Sequence, residues 1–231
     1  MNTSLLPGTL LATITTVILV QTVALSLTPE TISQKAKEFV VQINGSDKVP
    51  LGNGSGSIVE KKGNTYKILT NRHVVKDSVS QSDYTIQTFD GNNHPVTKIE
   101  RIESADLAII SFESNNSYVV ATLGDSDRLK TGQSIYFAGY PASASREYKF
   151  HSSRIDGFVQ ASQIEDGYGF SFVGPIMKGM SGSPILNDQK QIIGIYGKGN
   201  GLVGQVGTLY GIPVKTAIRL ANLPKSSFRR W

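Results

Sequence analysis

Gly179-Met180-Ser181-Gly182-Ser183-Pro184 sets a single serine among small residues and closes the run with a proline. Glycine has no Cβ, so the backbone on either side of Ser181 is free to turn sharply. A sharp turn makes the hydroxyl project and lets the N–H groups of Gly179 and Ser181 converge on one oxygen. Converging amide dipoles are what a developing oxyanion needs. The same hexamer also suits an ordinary Gly/Ser turn, so its chemistry has to be read with the rest of the chain.

Chain order sharpens the reading. A nucleophile elbow of the α/β-hydrolase kind needs a glycine two residues after the serine, a helix behind it and a histidine later in the chain. Here Ser183 occupies the glycine position, Pro184 with Asn187-Asp188 predicts a hairpin, and His73, His94 and His151 all precede Ser181. The subtilisin order needs an aspartate before the histidine, and only Asp47, in a polar loop, precedes His73. What remains is histidine, then aspartate, then serine, the chymotrypsin order.

His94 lies in the turn Gly91-Asn92-Asn93-His94-Pro95 and His151 in a polar Ser/Arg segment, so both are expected at the surface. His73 instead follows the apolar strand Ile68-Leu69-Thr70 and opens Val74-Val75, where a rim can hold a side chain. Between His73 and Ser181 stand Asp77, Asp83, Asp90, Asp106, Asp125, Asp127, Asp156 and Asp166. Asp106 alone runs directly into an apolar stretch, Leu107-Ala108-Ile109-Ile110. A carboxylate at the head of a buried strand is costly unless it is paired. The N–H of His73 is the expected partner, and the carboxylate would then fix the tautomer of the imidazole.

The composition suits this chemistry. The 231 residues, 39% hydrophobic and 18% charged, can bury a full core. With 23 glycines and many short Val/Ile/Tyr/Phe stretches between turns, the chain reads as all-β. Its net charge of +5 is scattered rather than gathered into a stripe, so no nucleic-acid partner is expected, and the Arg229-Arg230-Trp231 cluster reads as a solvated tail. The absence of cysteine excludes disulfides and thiolate sites. No histidine pair has ligand spacing, so neither metal nor cofactor is expected, and EDTA should leave activity unchanged. Gly52-Asn53-Gly54-Ser55-Gly56 lacks the Gly-Lys-Ser/Thr ending and the following helix of a phosphate loop.

Thr9 to Leu27 carries no charged side chain, and Ala24-Leu25-Ser26 offers small residues for cleavage after Ser26. Residues 1–26 therefore read as a signal peptide, or as an uncleaved anchor, since the apolar run approaches the ~20 residues that span a bilayer. A membrane partner is implied only in the second case. Either way the body of the protein is expected to be exported, to the periplasm or the extracellular space.

Within 27–231, Thr28-Pro29-Glu30 is a helix start, which predicts a helix from Pro29 to about Lys37. Phe39 to Ile43 reads as a first strand. Strands follow near Ser57 to Lys61, Tyr66 to Thr70, Thr85 to Phe89, Val96 to Ile102 and Leu107 to Phe112. After Gly124-Asp125-Ser126-Asp127 a second set is expected at Ser134 to Ala138, Tyr148 to Ser153, Phe158 to Ser162, Gly169 to Val173, Ile192 to Tyr196 and Leu209 to Pro213. Equal strand counts predict two six-stranded antiparallel β-barrels, about 38–122 and 128–214. A C-terminal helix at about 214–222 closes the chain.

Several blocks then carry a family resemblance. Thr70-Asn71-Arg72-His73-Val74-Val75, Ser104-Ala105-Asp106-Leu107-Ala108 and Gly179 to Pro184 resemble the His, Asp and Ser motifs of HtrA-like and other bacterial trypsin-like peptidases. Gly54-Ser55-Gly56-Ser57-Ile58, Gly139-Tyr140-Pro141, Gly194-Ile195 and Gly211-Ile212-Pro213 are similar to their flanking strands, so the likeness spans about Ala36 to Asn222. It implies a chymotrypsin-like fold and a serine endopeptidase acting on polypeptide through His73, Asp106 and Ser181, with Gly179 and Ser181 as oxyanion donors. It also implies specificity-pocket walls at Gly174 to Lys178 and around Ile195, Tyr196 and Gly197, with Pro175 at the base. No acid stands there to pair with a substrate cation, so a modest apolar side chain is the expected preference.

Two departures stand out. Met180 replaces the Asn or Asp before the nucleophile, and Ser183 replaces the second glycine. Without an acid at Met180 the activation switch of digestive relatives is not available, and with the sequence ending at Trp231 no PDZ module is expected. The bulk of Met180 leaves open a binding module that has lost turnover, and the same triad would also support esterase chemistry.

Overall fold

The computed structural model describes residues 28–224, except 50–52, 77–78, 144, 161–162 and 164. The expected signal segment at 1–26 and the basic cluster at 229–231 lie outside the described residues.

Thr28 caps the first helix, α1 (Pro29–Lys37), by accepting from the Thr31 N–H at 3.3 Å, as its Thr-Pro-Glu start predicts. Ile32 and Ala36, four residues apart, form its buried face. The Tyr148 hydroxyl donates to the Ser33 carbonyl at 3.0 Å and ties the helix down.

Six strands then close into a barrel: β1 (Val40–Gly45), β2 (Gly54–Lys62), β3 (Thr65–Thr70), β4 (Tyr84–Gln87), β5 (Asn93–Ile102) and β6 (Leu107–Glu113). They pair antiparallel in the order β1-β2-β3-β6-β5-β4. A second barrel comprises β7 (Ser134–Gly139), β8 (Lys149–Phe158), β9 (Phe170–Pro175), β10 (Pro184–Leu186), β11 (Ile192–Asn200) and β12 (Val206–Pro213), in the order β10-β11-β12-β9-β8-β7. Closure removes the free sheet edges that open sheets expose. A short helix, α2 (Val214–Leu220), follows β12 and buries Val214, Ala217 and Ile218.

The fold is thus the all-β double barrel expected from the sequence, with local corrections. The two strands expected at 148–153 and 158–162 are one, β8, and Val159 and Gln160 lie beyond its end. Ile155 is the single fully buried residue of β8, so its sequence alternates too weakly to fix its length. The sixth strand is β10, three residues long and buried throughout, with no alternation to betray it.

His94 is not a surface residue. β5 begins at Asn93, one residue ahead of it, and directs the imidazole inward against Phe112, ring centroids 4.7 Å apart. Its Nε2 lies 3.0 Å from the Tyr118 hydroxyl. His151 is half-buried on β8, stacked on Phe137 across the β7–β8 pair with ring centroids 5.0 Å apart. Both rings spend their apolar faces in cores that their polar sequence neighbours conceal.

Candidate active site

Strands β3 and β6 are neighbours, with Thr70 opposite Ala108. The chain leaving β3 and the chain approaching β6 therefore run side by side at one end of the first barrel. A 3₁₀ turn, Arg72–Val74, carries His73 onto this rim, while Asp106 sits just ahead of β6 and is 6% exposed.

The two side chains meet. His73 Nδ1 lies 2.7 Å from Asp106 Oδ2, and the His73 backbone N–H donates to Asp106 Oδ1 at 2.9 Å. An ionised carboxylate only accepts, so the Nδ1 nitrogen carries the proton and Nε2 is left as the basic atom. The Asn71 side-chain amide donates to the Asp106 carbonyl at 2.8 Å and holds the two segments together. Burial pushes the Asp106 carboxyl up, but the hydrogen bond and charge of His73, with the Tyr168 hydroxyl, outweigh it and hold the group below the usual carboxylate range.

Tyr168 was not legible as a site residue. It stands between two glycines beside Asp166, a pattern that reads only as a turn. That turn, with Asp166 and Gly167 both at positive φ, backs onto the first barrel, and the Asp106 N–H donates to the Asp166 carbonyl at 2.8 Å. Tyr168 thereby reaches Asp106 Oδ2, and its hydroxyl donates at 2.5 Å. The phenol pKa is raised, first by burial and then by the neighbouring carboxylate, so it remains a donor.

The Ser181 turn lies between the barrels. Gly179 and Gly182 have φ of +84° and +86°, in the left-handed region that glycine tolerates. A Cβ at Gly182 would lie 2.0 Å from the Ser55 carbonyl oxygen and 2.2 Å from Thr70 Oγ1, so the turn presses against the strand ends that lead to His73. The Ser55 N–H donates to the Ser181 carbonyl at 2.8 Å, and Thr70 Oγ1 donates to the Ser55 carbonyl at 2.7 Å. These bonds link the Ser181 backbone to the residue three before His73. Among the described residues the half-buried Ser181 hydroxyl makes no hydrogen bond, so the link from Ser181 to His73 runs through the backbone.

The Lys178 carbonyl accepts from the Ala142 N–H at 2.8 Å. In a planar trans peptide the carbonyl and the N–H point opposite ways, so the Gly179 N–H faces away from Ala142. Neither it nor the Ser181 N–H has a hydrogen-bond partner among the described residues. Met180 is fully buried in the second-barrel core with Phe137, Phe172 and Tyr196. Its bulk is thus directed away from the turn's donors.

The residues expected to wall a pocket divide into two groups. Pro175 ends β9 and Gly197 is half-buried on β11, whereas Ile195 and Tyr196 are 1% and 4% exposed with their side chains in the cores. Ile176, inside the expected wall Gly174 to Lys178, stands beside Pro175. Its N–H donates to the Gln205 carbonyl at 2.9 Å and its carbonyl accepts from Gly204 at 2.8 Å, so the β11–β12 hairpin closes onto it.

The sequence blocks around these residues match a known family. Residues 54–195 fit the trypsin-like peptidase domain. The chain belongs to that family. Among curated relatives, this trypsin-like peptidase domain is 26% identical over 158 residues to serine protease Do-like HtrA of Bacillus subtilis, covering 66% of this chain and 34% of that protein. It is 29% identical to a probable periplasmic serine endoprotease DegP-like of Chlamydia pneumoniae, over 73% of this chain and 33% of the relative. Serine protease HTRA1 of Xenopus laevis is 28% identical over 72% of this chain and 35% of its own length. The domain thus spans about a third of the curated relatives it matches. In structure it resembles the HtrA-type protease AlgW with tripeptide, at a TM-score of 0.72 and 20% identity, covering 85% of this chain and 63% of that one. At that identity the likeness concerns the fold.

Proposed function

We propose that this trypsin-like peptidase domain is a serine endopeptidase working through an acyl-enzyme. The observation that carries the reading is the 2.7 Å contact between His73 Nδ1 and the buried, ionised Asp106. A histidine held in that tautomer presents Nε2 as a base at the rim where the Ser181 turn docks.

Ser181 Oγ attacks the scissile carbonyl carbon while His73 Nε2 takes its proton. The carbonyl oxygen becomes an oxyanion and accepts from the Gly179 and Ser181 N–H groups. The imidazolium, stabilised by Asp106, returns the proton to the leaving amine as the C–N bond breaks. Water then attacks the ester with His73 again as base, and the acid is released as the proton returns to Ser181. Hydrogen bonds in the free enzyme tighten only when substrate arrives, consistent with a Ser181 hydroxyl that rests unbonded.

Polypeptide is the proposed substrate, a reading supported by the protease relatives and by the tripeptide named with the structural neighbour. The peptidase domain is assigned to 27–231, and residues 1–26 to an export signal or anchor. Among the described residues no helix is long and apolar enough to cross a membrane.

A fluorophosphonate probe tests the proposal. The wild-type chain should label at Ser181 and cleave a peptide library. Ser181→Ala should abolish labelling and lower turnover by roughly three or more orders of magnitude while leaving the melting temperature unchanged. An alanine variant that still labels would place the nucleophile elsewhere.

A further inference from the structure

We propose that Ser55 is a positioning residue for the oxyanion turn, its buried hydroxyl crossing from the first barrel to fix the orientation of Gly179. The inference rests on the peptidase reading above and concerns how its oxyanion donors are held.

Gly179 joins two peptide planes through a Cα that carries no side chain, so either plane rotates unless something outside the turn holds it. The plane before it is held by the Ala142 N–H on the Lys178 carbonyl. The plane after it has a long bond within the turn, from the Met180 N–H to the Met177 carbonyl at 3.4 Å, and is held from outside by Ser55, whose Oγ donates to the Gly179 carbonyl at 2.9 Å. Ser55 has one hydroxyl proton, and its direction is set. Its Oγ accepts from the Tyr140 N–H at 2.8 Å, leaving the proton to Gly179. The residue is wholly buried, and a Cβ at Gly139 would lie 2.7 Å from Ser55 Oγ, so the hydroxyl is enclosed.

The backbone of Ser55 grips the same turn from the other side, through its N–H on the Ser181 carbonyl. One residue of β2 therefore bonds to both amino acids whose N–H groups would hold the oxyanion. Rotating the Gly179–Met180 peptide would strand the Ser55 hydroxyl and the Gly179 carbonyl in a buried space, which is costly. Met180 has no carboxylate with which an ion pair could hold the turn. The Ser55 hydroxyl, with Met180 anchored in the second-barrel core, does so instead.

Steady-state kinetics and inhibitor binding on the full chain test this, with Ser55→Ala and Ser55→Cys beside the wild type. In Ser55→Ala, kcat should fall about ten- to hundred-fold, with KM within about two-fold. Affinity for a peptide boronic acid, which places a tetrahedral oxygen in the hole, should fall with kcat. Binding of an unreactive product peptide should hold, and the acid limb of the pH profile should not move. Ser55→Cys, nearly isosteric with a weaker donor, should fall between and gives a readout if the alanine variant fails to fold. Wild-type kcat and boronate affinity in the alanine variant, or in the cysteine variant where the alanine one does not fold, overturns the inference. So does a product affinity that falls as far as kcat. A wild-type chain that fluorophosphonate does not label overturns the peptidase reading itself.

Discussion

The Tyr168 hydroxyl donates to Asp106 Oδ2, the same oxygen that faces His73 Nδ1. With the His73 backbone N–H on Oδ1, the carboxylate has three donors, two from the first barrel and one from the second. The groups around this cluster are His73, the Asp166 carboxylate, Tyr196, and Arg72, which pairs with both Glu103 and Asp166. A donor on Oδ2 draws negative charge away from the imidazole. Tyr168→Phe should therefore stabilise the imidazolium, move the acid limb of the kcat/KM profile to higher pH, and raise the Asp106 pKa toward its ordinary value. A pH–rate series on both forms checks this, and a profile lowered at every pH without displacement would leave Tyr168 a merely structural role.

Asp106→Asn keeps the shape but cannot accept the Nδ1 proton in the same way, which favours the wrong imidazole tautomer. Turnover should drop by about 10⁴ near neutral pH. Fluorophosphonate labelling should slow in parallel, and a loss under ten-fold would remove Asp106 from the proposed triad.

Much of this site is written in local sequence. Asp106 stands out because a charge directly before Leu107-Ala108-Ile109-Ile110 has to be paired, and α1 because its Thr28-Pro29-Glu30 start names its own boundary. Tyr168 and Ser55 are silent for the opposite reason. Ser55 lies 124 residues from Gly179 and 85 from Tyr140, and no local period encodes a contact at that distance. β8 hides because Ile155 is its one fully buried residue and its apolar positions, Phe150, Ile155 and Phe158, do not alternate. Ile195 and Tyr196 carry a family pattern that locates a strand, but the pattern does not say which way each side chain turns.

Gly182→Ala should uncouple the barrels. The new methyl would meet the Ser55 carbonyl and Thr70 Oγ1 at φ +86°, where any side chain is strained. The strained φ alone costs roughly 1–3 kcal/mol, and the clash adds to it. Chemical denaturation should show a lower midpoint together with lost labelling, whereas an unchanged midpoint would mean that the turn is not pressed against β2.

Stability should fall on mild acidification. Burial lowers the pKa of His94, partly opposed by Asp90, and burial followed by Lys149 lowers that of His151. A unit or more above the ordinary histidine pKa of about 6.5 both rings are neutral, folded or unfolded, and contribute no pH dependence. Below it the unfolded chain takes up protons first, so stability drops as pH falls toward the lowered folded values. Asp106, depressed in the folded state, adds a second loss further down, present above about pH 3.9 and lost through its folded pKa. Urea titrations from pH 7.5 to 5 should slope downward, and His94→Gln with His151→Gln should flatten the slope. Equal slopes would assign the acid sensitivity to other groups.

Cleavage should favour a small or modest apolar side chain, and Ile176 should set that limit. The expected pocket base, Pro175, offers no charge, and Asp188 is exposed in the β10–β11 turn, so nothing pairs with a substrate cation. Ile176 fills the space between the end of β9 and the β11–β12 hairpin. Its Cδ1 lies 2.7 Å from where a Cβ would stand at Gly201 and at Gly207, which leaves little depth for a longer substrate group. Ile176→Ala removes three carbons there at a cost of about 2–5 kcal/mol in stability, because the residue is 7% exposed. The same vacated volume should admit Leu or Phe, shifting kcat/KM toward them by roughly 10-fold relative to Ala or Val. Profiling both forms against one mixed peptide library decides the matter. Dominant cleavage after Arg, Lys or Glu, or an alanine variant with unchanged preference, would show that the pocket lies away from Ile176.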